Sequence, residues 1–148
     1  MIWKPNVTVA TILERDGKFL LVEEETASGL MFNQPAGHLE PGETLPDAAV
    51  RETLEESAYR FQPQHLVGIY RWHSPNTDTT YLRFAFTGNI LAHYPEQVLD
   101  EGIVRAVWMT LDEIRASQAR HRSPLVLRCV EDYLAGKRYP LALLTHYE

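Results

Sequence analysis

Apolar and β-branched residues run from Val7 to Leu13 and again from Lys18 to Glu23. Asp16-Gly17 between the runs is a tight-turn pair, so the pattern predicts two strands joined as a hairpin. From Thr44 the signals become helical. Thr44 can cap free amides, Pro46 stands in the first turn where a missing N–H is harmless, and Asp47 lies three residues past the cap. The predicted helix ends near Tyr59, and Val50, Leu54 and Ala58 fall on the side opposite its glutamates, where they are expected to meet the core. Ala48 and Ala49 share the acidic side and leave room there for a ligand or a close-packed loop. His65 to His73 and Thr80 to Thr87 read as strands that pair across the polar loop Ser74-Pro75-Asn76-Thr77-Asp78, and Val104 to Met109 reads as a further strand. Thr110 then caps a short helix to about Ala116. A last helix starts with Ser123 as cap and Pro124 in first position, and stops near Gly136. Strands with one helix after the hairpin and another near the C-terminus predict a mixed α/β domain.

Composition narrows the class. The chain has 148 residues, enough for one domain spanning residues 1–148, and no repeat, low-complexity tract or linker composition divides it. A formal net charge of −6 argues against general nucleic-acid binding, since a phosphate backbone wants a basic face. An anionic substrate must then be drawn in by a metal and local arginines, not by the overall field. Cys129 is the only cysteine, which excludes an intrachain disulfide and suits a reducing compartment. No signal-peptide pattern opens the sequence and no apolar run reaches the ~18 residues of a membrane span. The expectation is a cytoplasmic protein, monomeric or homodimeric, with a small-molecule partner and no membrane or nucleic-acid partner.

Candidate chemistry concentrates in GHLEPGETLPDAAVRETLEESAY, Gly37 to Tyr59. Glu52, Glu55 and Glu56 fall at i, i+3 and i+4, within an arc of about 100° on one helix face. No lysine lies on that arc, so the carboxylates repel one another unless a cation joins them, and oxygen ligands of this kind suit a hard cation such as Mg²⁺. Arg51 lies one turn before Glu55 and can also reach Glu43 in the loop. Pro35-Ala36-Gly37 and Pro41-Gly42 read as turns that carry the chain beneath the helix. Taken alone, the same glutamates could be no more than a solvated acidic face.

The whole segment resembles the Nudix box: Gly, five residues, Glu, seven residues, Arg-Glu, two residues, Glu-Glu, one residue, Gly, then an apolar residue. Gly37, Glu43, Arg51, Glu52, Glu55 and Glu56 match at the required spacing, and Ala58 stands where the family has glycine. PNVTVATIL, GKFLLVEEE, NQPAGHLE and HRSPLVLRCVEDYLAGKRYPL extend the likeness to a NudJ-like phosphatase branch over most of the chain. The resemblance implies a Nudix-type α/β/α sandwich with a mixed sheet. It also implies Mg²⁺-dependent (or Mn²⁺-dependent) hydrolysis of phosphoanhydride bonds in nucleoside di- and triphosphates or in hydroxymethylpyrimidine diphosphate. The metal set so implied is the Gly37 carbonyl with Glu52, Glu55 and Glu56, and Arg51 orients the carboxylates. An acid in the Asp100-Glu101-Gly102 loop, Glu101 or its rival Asp100, is the candidate general base or further metal ligand. A Nudix-fold nucleotide sensor without turnover is the alternative, set against the presence of every box glutamate.

Beyond the box, Arg71 and Arg83 on adjacent predicted strands are candidates for phosphate contacts, and Trp72 and Tyr81 for stacking on a flat ring. Arg122-Ser123-Pro124 is a candidate border of the pocket. Cys129, between Leu127 and Val130, reads as a packed thiol.

Overall fold

The computed structural model describes residues 1–148. Strand β1, Asn6–Thr11, enters the interior and does not form the expected hairpin with the next run. It pairs in parallel with a distant strand, while the turn at Asp16-Gly17, with both residues at positive φ, joins the two-residue β2, Glu14–Arg15, to β3, Lys18–Thr26. Ile12 and Leu13 are buried to 1% exposure each, because there the chain crosses from one sheet to the other through the core. Two short strands follow that sequence patterning did not reveal, β4, Gly29–Asn33, and β5, Ala36–His38. The latter is the segment read as a turn. It lies at the sheet edge, where Gly37 pairs with Val9, and such pairing depends on the neighbour more than on the strand's own residues.

Helix α1, Leu45–Ser57, begins at Thr44, whose hydroxyl accepts the Asp47 amide as predicted. It ends at Ala58, whose φ of 62° and ψ of 17° are left-handed. That conformation is where the related box carries glycine, and a non-glycine residue there stores strain of about 1 kcal/mol. Two long strands, β6, Tyr59–Ser74, and β7, Thr79–His93, then form the expected hairpin, but it starts directly after the helix. The polar Gln62-Pro63-Gln64 interrupts the apolar pattern and coincides with register shifts, which is why patterning placed the strand start later. Strand β8, Ile103–Thr110, leads through a Thr110 capping box into α2, Leu111–Ala116. Helix α3, Leu125–Leu134, has the Ser123 hydroxyl accepting the Leu125 amide, and Gly136 just beyond it is at φ 83°. A two-residue β9, Tyr139–Pro140, closes the edge on β6.

The strands form a mixed sheet in the order β5-β1-β7-β6-β9, whose one parallel pair is β1 with β7, and an antiparallel sheet built around β3. Successive residues alternate between two cores: Phe19, Leu21, Val67 and Ala85 pack with α3, whereas Leu20, Leu66 and Phe86 pack with α1. Helices therefore cover opposite faces, which is the α/β/α sandwich expected. The face α1 turns inward differs from the expectation. Ala48, Ala49, Thr53 and Ser57 are buried, while of the three residues expected inside only Ala58 is buried and Val50 and Leu54 are half-buried. Small residues let the helix axis come close to the strands, and the Thr53 hydroxyl donates to Thr11 Oγ1 at 2.7 Å inside that contact. Close approach outweighs side-chain hydrophobicity here, so the glutamates next to this face are drawn partly into the protein. No helix is long and apolar enough to cross a membrane.

Candidate active site

Arg51 is the hub of the acidic helix. Its Nε and Nη2 donate to both oxygens of Glu43 at 3.0 and 2.7 Å, a bidentate pair, and Nη1 donates to Glu52 at 2.7 Å. The same Nη1 lies 3.4 Å from Glu55, and Nη2 also donates to the His38 carbonyl at 3.0 Å. The guanidinium holds Glu43 below its usual carboxylate range, and the hydrogen bonds it donates to Glu43 raise Arg51 in return. One cation thus ties the loop before the helix to two of the box glutamates, the role predicted for Arg51.

Oxygen atoms of Glu52, Glu55 and Asp100 lie within 4.8 Å of one another. Asp100 arrives from the loop before β8 because its amide donates to the Glu55 carbonyl at 3.0 Å. The Gln97 side chain donates to the Leu54 carbonyl at 2.6 Å and secures the same loop to the helix end. Glu101, the first candidate in that loop, is exposed and outside this group. Gly37 sits directly against Glu52, since a Cβ on Gly37 would collide with the whole Glu52 carboxylate. A set of carboxylate oxygens this close, with one guanidinium among them, suits a hard divalent cation.

Glu56 is set deeper. The Ala36 amide donates to its Oε1 at 3.0 Å, yet burial pushes its carboxyl up to about 8, with the charges of Glu24, Glu52 and Asp100 adding to the rise. Burial likewise raises Glu52, against the pull of Arg51. A carboxyl that titrates near 4.5 unfolded and about 8 folded binds its proton more tightly in the native state. Its contribution to stability is full below the unfolded value and is lost as pH rises to the folded one. Metal-free protein should therefore melt at progressively lower temperature between about pH 5 and about pH 8, and Glu56→Gln, which can still accept the Ala36 amide, should flatten that slope. Parallel melting curves for both proteins in chelator would remove this assignment.

The other candidates separate. Trp72 and Tyr81 are cross-strand partners whose rings stack at 5.8 Å between centroids and 18° between planes, and Trp72 forms one wall of a cleft of about 610 Å³. Arg122, Ser123 and Pro124 line the same cleft, so the segment singled out in the sequence does border a pocket. Arg83 does not reach it as a phosphate contact. It is 6% exposed, donating to Gln34 at 2.9 Å and Asn33 at 3.0 Å, and it braces the interior beside Cys129. Arg71 is exposed and, one residue from Trp72 on the strand, points to the other face. Cys129 is fully buried and burial pushes its thiol up, as expected of a packed cysteine. Glu24 was not singled out by sequence. It lies in the run Glu23-Glu24-Glu25, whose neighbours alternate between sheet faces, and its charge reaches Glu56.

The chain belongs to the Nudix family: the NUDIX domain model matches residues 3–129, a span that takes in the box, the Asp100 loop and Arg122. It is a Nudix hydrolase. Phosphatase NudJ of Escherichia coli (strain K12) is 41% identical over 143 residues, covering 97% of this chain and 92% of that protein. A solved NUDIX hydrolase from Nitrosomonas europaea is 56% identical with a TM-score of 0.95, covering 97% of this chain and 98% of that one. More distantly, a bifunctional NMN adenylyltransferase/ADP ribose pyrophosphatase from Francisella tularensis, complexed with AMP and a manganese ion, shares the fold. Its TM-score is 0.70 at 16% identity, covering 90% of this chain and 42% of that one. Nudix hydrolases use divalent metals, and the donor set here fits one.

Proposed function

We propose that this hydrolase cleaves phosphoanhydride bonds of nucleoside di- and triphosphates and of related small diphosphates, hydroxymethylpyrimidine diphosphate among them, in a Mg²⁺-dependent reaction. The observation that carries the reading is the convergence of Glu52, Glu55 and Asp100 within 4.8 Å beside Arg51. These three carboxylates, with Glu56 and the Gly37 carbonyl beside them, would hold the Mg²⁺. Bound there, the ion supplies charge shielding for the phosphates and acidifies water. The protein's own part is orientation. Arg51 keeps Glu52 and Glu55 in place, the Asp100 loop closes over the helix end, and a carboxylate of the cluster takes the proton of the attacking water. Water attacks phosphorus and the anhydride oxygen leaves with the departing phosphate, so no covalent intermediate is needed. Trp72, with Tyr81 stacked behind it, offers a flat apolar wall to an organic ring. The likeness to phosphatase NudJ supports the same reaction class.

The test is phosphate release from a panel of nucleoside di- and triphosphates with and without Mg²⁺. Metal and guanidinium address phosphate, and a stacking wall accepts any flat ring, so kcat/KM values should lie within about two orders of magnitude of one another, a spread of roughly 3 kcal/mol. A preference of about four orders of magnitude for one nucleotide would require dedicated hydrogen bonds to its base and would overturn the broad-specificity reading. Absence of release throughout the panel would overturn the reaction itself.

A further inference from the structure

Arg122 stands between the cleft and the carboxylates. Its backbone is fixed, because its amide donates to the Phe32 carbonyl at 2.8 Å and His121 beside it forms a bridge to Phe32. Its side chain is 47% exposed, and the guanidinium Nη1 rests on Glu24 Oε1 at 3.0 Å. Glu24 is largely covered and its charge bears on Glu56. The next residue, Glu25, donates its amide to the Gly102 carbonyl at 2.8 Å, which fastens this stretch of β3 to the turn carrying Asp100. Arg122 thus lines the cleft that Trp72 walls and pairs with the Glu24 whose charge bears on Glu56.

The other arginines nearby are committed. Arg120 is paired with Glu23 and lies over the Phe32 ring, Arg128 is paired with Asp132 at 3.1 Å, and Arg83 is buried among neutral partners. Only Arg122 combines a half-exposed side chain, a place in the cleft wall and a partner next to the box glutamates. The pair is a single contact whose guanidinium side is about half open to solvent, where a competing anion can reach it. Phosphate offers the planar guanidinium a bidentate, doubly charged partner instead.

Building on the hydrolase reading above, we propose that Arg122 anchors the substrate's phosphates, and that Glu24 holds its guanidinium at the cleft mouth until a phosphate replaces it. Arg122 is a positioning and binding residue in this scheme, while Glu24 keeps it parked. A structural ion pair and a parked ligand-binding arginine predict different things, because breaking the pair from either side is equivalent only in the first case.

The measurement is the Kd of Mg²⁺-bound α,β-methylene-ADP, which cannot be cleaved between those phosphates, for wild type, Arg122→Gln, Arg122→Lys and Glu24→Gln, with melting temperatures for all four. Arg122→Gln should weaken binding about 10- to 100-fold, as expected for a lost charged hydrogen bond, and Arg122→Lys should recover part of it. Glu24→Gln should bind no more weakly than wild type, although it breaks the same pair. Equal weakening in Arg122→Gln and Glu24→Gln, unchanged affinity in Arg122→Gln, or no binding by wild type would each overturn the proposal. Because binding is read without turnover, a wild type that binds through Arg122 but releases no phosphate from any nucleotide of the panel would sink the proposed nucleotide hydrolysis and leave the anchor standing.

Discussion

Glu55→Gln should lose most turnover and keep its fold. The Glu55 side chain is 38% exposed, its contact with Arg51 is 3.4 Å, and its nearest neighbours in the cluster, Glu52 and Asp100, carry the same charge. Removing one negative charge from such a group relieves repulsion, so metal-free Glu55→Gln should melt at or slightly above the wild-type temperature. The catalytic loss should be about 10²- to 10⁴-fold in kcat/KM, the range of several kcal/mol that a correctly held cation supplies at a phosphoryl centre. Glu52→Gln should lose a similar amount. A linked measurement separates metal loss from chemistry: Mg²⁺ should raise the wild-type melting temperature, by mass action on the folded state, and raise it less in both variants. Near-normal activity with an undiminished Mg²⁺ response in both would remove the metal assignment. The same pair of readouts distinguishes the loop acids. Asp100→Asn should behave like the glutamate variants, since Asp100 lies within the cluster. Glu101→Gln should leave the Mg²⁺ response intact, and a kcat loss of about 10²-fold or more without a metal effect would restore Glu101 as general base.

The geometry behind these expectations was partly legible in the chain. Thr44 as cap, the arc shared by Glu52, Glu55 and Glu56, and the reach of Arg51 to Glu43 all follow from helical spacing and one loop, because they are local. The place of Asp100 was only half legible. Two adjacent acids in one turn look alike in sequence, and what chooses between them is the Asp100 amide on the Glu55 carbonyl, a contact between elements far apart in the chain. Arg83 misled for a similar reason. A strand pattern says which residues alternate, but not that one strand face would be roofed by α3 and its guanidinium satisfied by Asn33 and Gln34. The inward face of α1 misled more deeply. Large apolar residues ordinarily mark the core side of a helix, yet here Ala48 and Ala49 are buried ahead of Val50 and Leu54, with Ala58 alone of the expected face joining them, because the helix sits close on β1 and β5. Glu24 and Arg122, lying on opposite sides of the fold in sequence terms, meet only because the segment before α3 runs beside β4.

Gly37→Ala should nearly abolish activity while leaving the protein folded. Gly37 is not among the positive-φ residues, so alanine can adopt its backbone conformation without strain, and its pairing with Val9 in the sheet is unaffected. The obstacle is Glu52, whose carboxylate carbon and both oxygens occupy the space a Cβ would take. Because that obstacle is the far end of a flexible side chain, the carboxylate moves before the sheet does. Glu52 then loses its 2.7 Å contact with Arg51 and its place beside Glu55 and Asp100. Activity and the Mg²⁺ response should fall about as far as in Glu52→Gln, about 10²- to 10⁴-fold in kcat/KM, with a small change in melting temperature. Gly42→Ala gives the opposite combination. Gly42 sits at φ 81° with open space around it, so alanine there should cost about 1 kcal/mol of stability and leave the carboxylates where they are. A Gly37→Ala protein with full activity and an undiminished Mg²⁺ response would show that Glu52 does its work from another position, and the cluster would lose its most buried member.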